Sequence, residues 1–132
     1  MKHFSKKLFT VLVIAIAAMT CVFAQSIYEV QHGEYYGKTV ILHSNDVHGA
    51  IEGYAKIAAL RDYYLEKEAE VILADAGDYS QGTTYVSLTK GLDAVNMMNL
   101  TGYNYVALGN HEFDYGYPQL KENMAKACFA VL

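Results

Sequence analysis

Tyr105-Val106-Ala107-Leu108-Gly109-Asn110-His111-Glu112-Phe113-Asp114 is the stretch on which the reading of this chain turns. The apolar run over residues 105–108 predicts a short buried strand, and Gly109 ends it. An amide, an imidazole and, three residues beyond the imidazole, a carboxylate then arrive together. A histidine followed by an aspartate at i+3 lets the carboxylate accept the imidazole N–H, which fixes the tautomer and raises ring basicity. Taken alone, the stretch reads more readily as a polar turn at a strand end. Two upstream stretches repeat its layout.

The first is Thr39-Val40-Ile41-Leu42-His43, a β-branched run without alternation, which predicts a strand buried on both faces. His43 is expected there as a hydrogen-bonded core histidine. Ser44-Asn45-Asp46-Val47-His48-Gly49 follows. Asp46 and His48 stand two apart, so in extended chain their side chains point the same way and can close on one ion. A carboxylate with an imidazole suits Zn²⁺, Mn²⁺ or Fe better than Ca²⁺ or Mg²⁺, which prefer oxygen ligands. The competing reading is an ordinary Asx-turn. The second stretch is the strand Val71-Ile72-Leu73-Ala74, which leads into Asp75-Ala76-Gly77-Asp78-Tyr79-Ser80-Gln81-Gly82. Its glycines let backbone approach a small charged object while Asp78 projects into the loop. Asp75 is expected to be a structural partner for loop N–H groups.

Helical patterns separate these strands. Over residues 53–69, Ile57, Leu60, Tyr64 and Leu65 predict an inner face, and Lys56, Arg61, Glu66 and Lys67 a solvated one. Leu92, Val95, Met97 and Met98 predict a second helix between Gly91 and Gly102. Pro118 is placed to start a third, with Leu120 and Met124 facing inward. Cys128-Phe129-Ala130-Val131-Leu132 predicts a fourth buried strand. Strands alternating with helices imply an α/β fold, a parallel sheet with right-handed crossovers. Asp46, Asp78 and Asn110 then each fall just past a strand's C-terminal end, 32 residues apart in both intervals. Ligands bind along that edge in open α/β sheets.

Composition sets the outer limits. A chain of 132 residues with 53% hydrophobic and 18% charged residues is expected to fold as one domain. A formal net charge of −4 gives no support for nucleic-acid binding. An acidic protein that handles phosphate needs positive charge from elsewhere, and a bound metal supplies it. Residues 1–24 read as a secretory signal peptide: Lys2, Lys6 and Lys7 precede an apolar run over residues 8–23, and Val22-Phe23-Ala24 offers a cleavage site. The run is short for a membrane anchor, which needs about 20 apolar residues, so no stable membrane insertion is expected after cleavage. Losing those three lysines takes the net charge from −4 to −7. Of the two cysteines, Cys21 leaves with the signal; Cys128 remains, expected as a buried small hydrophobe with no disulfide partner. Residues 25–37 read as a linker or loose hairpin arm, and residues 38–132 as the folded α/β domain.

Residues 41–49, Asp75-Ala76-Gly77-Asp78 with Gln81-Gly82-Thr83, and residues 108–116 resemble the first three motifs of the 5′-nucleotidase branch of the calcineurin-like metallophosphoesterases. The resemblance runs from about Lys38 to Leu132. It implies the first half of the family's α/β sandwich, with mostly parallel strands. It further implies that Asp46 and His48 bind one metal, Asp78 bridges two, and Asn110 binds the second. His111 would touch the phosphate, oriented by Asp114. Two divalent ions roughly 3.5–4 Å apart can hold a hydroxide between them and neutralise the phosphoryl oxygens during in-line attack. The family's later metal-binding histidines, including a Gly-His-x-His motif, and its C-terminal base-binding domain have no counterpart in these 132 residues. The expectation is therefore an exported (periplasmic, cell-surface or extracellular) hydrolase of a small phosphoester, a nucleotide. It is expected as an N-terminal fragment, weak or inactive alone, holding at most one ion. A non-catalytic metal- or phosphate-binding remnant, and an enzyme completed in trans, are the alternatives.

Overall fold

Four strands and the helices that join them make up the described part of the protein. In the computed structural model the described residues are 31–132; the signal peptide expected over residues 1–24 and residues 25–30 of the lead-in lie outside them. Strand β1 spans Thr39–Ser44, β2 Glu70–Asp75, β3 Tyr105–Val106 and β4 Ala130–Val131. Every neighbouring pair is parallel, and the order is β1-β2-β3-β4. β1 and β2 pair along all six residues, from Thr39 opposite Glu70 to Ser44 opposite Asp75. The α/β class and parallel sheet expected from sequence are present.

Helix α1 (Glu52–Glu66) joins β1 to β2, and two helices, α2 (Thr84–Leu88) and α3 (Leu92–Thr101), join β2 to β3. Helix α4 (Tyr117–Met124) follows β3. Gly91 and Gly102 bound α3 in the left-handed region, and Pro118 sits in the first turn of α4, both as the sequence predicted. The five-residue α2 was not anticipated; it is too short to display a helical period.

Strand order decides which face is covered. When successive parallel strands are neighbours, right-handed crossovers carry every helix to the same side of the sheet. Leu73, Asp75 and Val106 lie buried on that side, over a core of Tyr54, Tyr79, Val86, Ala94, Val95, Met98, Tyr103 and Phe129. The opposite face, along Thr39, Ile41 and His43, is exposed, and Ile41 is 65% accessible. This corrects four expectations. β1 is an edge strand with alternating exposure, not one buried on both faces. His43 is an exposed residue of the open face. β4 is a two-residue exposed edge, and Cys128 beside it is exposed.

The inner face of α1 also differs from the predicted one. Tyr54 is buried and Ile57 packs against the core, whereas Leu60 and Leu65 are exposed. Leu60 stands about 120° around the helix from Tyr54, and Leu65 falls in the last turn. Residues 33–37 of the lead-in form a turn that docks on the C-terminal end of α1: the Tyr35 N–H donates to the Lys67 carbonyl at 2.9 Å, and the Tyr35 ring meets Tyr64 edge-on at 5.0 Å. Among the described residues, no helix is long and apolar enough to cross a membrane.

Candidate metal centre

Three loops leave the C-terminal ends of β1, β2 and β3 and interlock. The β1 loop continues pairing beyond the ladder, as the Asp46 N–H donates to the Gly77 carbonyl at 3.1 Å and the His48 N–H to the Asp78 carbonyl at 3.0 Å. Asp46, His48 and Asp78 all have left-handed φ, at 52°, 47° and 61°. Among described non-glycine residues only five do so, and three belong to these loops. Such conformations cost about 1–3 kcal/mol each and gather at functional sites. Asp46 and His48 therefore do not lie in the extended chain that the sequence suggested. A left-handed turn brings them together instead, Asp46 Oδ1 3.8 Å from His48 Nε2.

Backbone meets backbone where the β2 and β3 loops touch. A Cβ at Gly77 would collide with the Gly109 backbone, and one at Gly109 with the Asp78 carboxylate. Both positions require glycine. Asp75 is buried and accepts the Gly77 N–H at 2.8 Å and the Ser44 hydroxyl at 2.5 Å, the structural role read from sequence. Burial pushes its carboxyl up, against the pull of those two hydrogen bonds.

The β3 loop turns into a single 3-10 turn, His111–Phe113. His111 Nδ1 lies 2.7 Å from Asp114 Oδ2, the i+3 pairing expected from sequence. This hydrogen bond raises the imidazole pKa above its ordinary value, against a smaller lowering by desolvation. The His111 and His48 rings meet edge-to-face with centroids 4.9 Å apart.

One ligand atom from each of His48, Asp78 and His111 lies within 4.8 Å of the other two. Two imidazoles and a carboxylate at that spacing fit a divalent transition ion. Asp46 stands at the rim beside His48, more than half exposed, and hydrogen-bonded to Asn45. Asn110 is exposed at the start of the 3-10 turn.

Sequence reading missed Glu112. It is 3% exposed, and its carboxylate accepts the N–H groups of Asp78 at 2.8 Å, Gly109 at 2.7 Å, Tyr79 at 3.0 Å and Ser80 at 3.1 Å. Its apolar neighbour Phe113 and the chemistry-bearing His111 gave no signal that the glutamate turns inward.

Comparison with known proteins agrees with this geometry. The calcineurin-like phosphoesterase family matches residues 39–129. A 5′-nucleotidase of Rattus norvegicus is 39% identical over 93 residues, covering 58% of this chain and 16% of that protein. A snake venom 5′-nucleotidase of Gloydius brevicauda is 38% identical over 109 residues, 70% of this chain and 18% of that protein. Among solved structures, a 5′-nucleotidase precursor from Thermus thermophilus superposes with a TM-score of 0.65 at 33% identity, over 70% of this chain and 21% of its own. The NAD nucleotidase of Haemophilus influenzae gives 0.64 at 29%, over 70% and 20%. The chain thus spans about a fifth or less of the length of these relatives. With the family match extending over most of the sheet and all three loops, the chain belongs to the calcineurin-like phosphoesterases.

Proposed function

We propose that this chain supplies the first ligand loops of an exported, divalent-metal-dependent phosphoester hydrolase of the 5′-nucleotidase type. The observation that carries this reading is the convergence of His48, Asp78 and His111 within 4.8 Å, each from a different strand end. The names of the nucleotidase relatives support a nucleotide as substrate, and the signal-like pattern over residues 1–24 supports export.

Asp46, His48 and Asp78 would hold one ion, and Asp78 with Asn110 would contribute to a second. Bound there, divalent ions supply the positive charge that screens phosphoryl oxygens and activates water. The chain's own residues do the positioning. Asp114 engages His111 Nδ1 and so fixes the tautomer, which leaves Nε2 to face the phosphate and stabilise the departing oxygen. Asp78 orients the β3 loop by accepting the His111 backbone N–H at 2.9 Å.

The test is hydrolysis of AMP and of an aryl phosphate with Mn²⁺ or Zn²⁺ present, comparing this chain with a version extended to the length of its nucleotidase relatives. The extended protein is expected to turn over AMP and to lose turnover with His111→Ala. The 132-residue chain is expected to be slower by orders of magnitude, at about 1.4 kcal/mol of lost transition-state stabilisation per tenfold. An extended protein inert toward both substrates contradicts the hydrolase reading. Equal turnover by the two contradicts the fragment reading.

A further inference from the structure

We infer that Glu112 is a positioning residue of this centre: by gripping the backbone of two ligand loops at once, its carboxylate sets the separation of Asp78 from His48 and His111, and with it the affinity for a divalent cation. The inference rests on the metal-binding reading given above.

Each carboxylate oxygen takes two donors. Oε2 joins Asp78 N–H of the β2 loop to Gly109 N–H of the β3 loop, while Oε1 gathers Tyr79 and Ser80 N–H. A carboxylate offers about four acceptor positions, so Glu112 has none left for a metal and is not itself a ligand. The groups it holds are nevertheless those that place the ligands. One is the N–H of Asp78 itself; another belongs to Gly109, two residues before His111. Three successive N–H groups, from Asp78 to Ser80, converge on one anion, an arrangement that the left-handed φ of Asp78 makes possible. The Ser80 hydroxyl, directed by the same grip, donates to the His111 carbonyl at 3.1 Å. Glu112 therefore fixes both sides of the contact between the β2 and β3 loops, behind His48, Asp78 and His111.

Glutamine has the same shape but presents an NH₂ to two of the four N–H donors, whichever way the amide turns. Aspartate keeps the charge but withdraws it by one methylene, so it cannot reach both loops. The experiment compares the full chain with Glu112→Gln, Glu112→Asp and, as a core-destabilised control, Met98→Ala, whose side chain is fully buried on α3. In metal-free protein, NMR reads the His48–His111 ring contact as the site signal and the Tyr54–Tyr103 ring contact as the core signal. Co²⁺ titration, followed by its absorption spectrum, then reads affinity and ligand geometry. Both Glu112 variants are expected to keep the core contact, lose the His48–His111 contact and bind Co²⁺ about ten- to a hundredfold more weakly, with an altered spectrum. Met98→Ala is expected to keep the ring contact and the wild-type spectrum. A Glu112 variant with the His48–His111 contact intact overturns the inference, as does loss of the core contact in both, since Glu112 would then serve the fold and not the site. Weakening of Co²⁺ binding by Met98→Ala to the same extent overturns it too. If the unsubstituted chain takes up no Co²⁺, the metal reading fails, while the ring contact still decides the role of Glu112.

Discussion

The backbone N–H of His111 donates to Oδ1 of Asp78 at 2.9 Å, across 33 positions of sequence. Two candidate site residues on different loops are thus joined directly, before any ion is considered. The observed role of Asp78 as an acceptor for the β3 loop is thus separable from its proposed role as a charged ligand. Asp78→Asn keeps the acceptor and removes the charge; Asp78→Ala removes both. Thermal unfolding of the metal-free chain should find Asp78→Ala less stable than Asp78→Asn by about 0.5–1.5 kcal/mol, the net worth of one hydrogen bond. Equal stability of the two variants would mean that the bond contributes nothing.

Asp75 makes stability depend on pH. Burial holds its folded-state pKa above the ordinary value, so its contribution is fully present below about pH 4, the unfolded value, and is lost as pH rises through the raised pKa. Asp75→Asn removes this titration. The amide can still accept the Gly77 N–H and can donate to Ser44 Oγ, which turns its own proton to the Tyr103 hydroxyl 2.6 Å away. In chelator-treated protein, the melting temperature of Asp75→Asn relative to the unsubstituted chain should climb as pH rises from 4 to 7. A constant difference across that window would contradict the assignment.

Tyr54 is 2% exposed, and among the described residues its hydroxyl has no hydrogen-bond partner. Burial pushes its pKa up. A buried hydroxyl left unpaired costs about 1–3 kcal/mol, so Tyr54→Phe should raise stability by about 1 kcal/mol in denaturant titration. A loss of stability of that size would show that the hydroxyl is satisfied in solution.

The uncovered face of the sheet is apolar at Ile41 and half-exposed at Tyr105, and among the described residues β1 leaves one edge unpaired. Flat, exposed, apolar edges promote association. Light scattering of the 132-residue chain should show concentration-dependent association that Ile41→Lys reduces without a large change in melting temperature. Unchanged association in that variant would place the sticky surface elsewhere.

The parallel sheet was legible because local signals and spacing agreed: apolar runs ended before Ser44, Asp75 and Gly109, with 32-residue intervals between Asp46, Asp78 and Asn110 beyond them. The His111–Asp114 pair was legible because i+3 spacing fixes it locally. Burial was harder to read. The β-branched run around Ile41 reports a side-chain set suited to two-sided burial, but strand order leaves one of its faces bare. Contacts that depend on loop conformation were invisible. The Asp46–His48 approach depends on left-handed φ at both residues, and Glu112 becomes a clamp only once two loops from distant parts of the chain meet.

Calorimetric titration of metal-free chain with Mn²⁺ tests most directly whether Asp46, His48 and Asp78 hold a metal ion. One weak site is expected, lost in Asp78→Asn while the variant's melting temperature in chelator stays close to that of the unsubstituted chain. Absence of binding to the folded chain, or an affinity unchanged by Asp78→Asn, would contradict it.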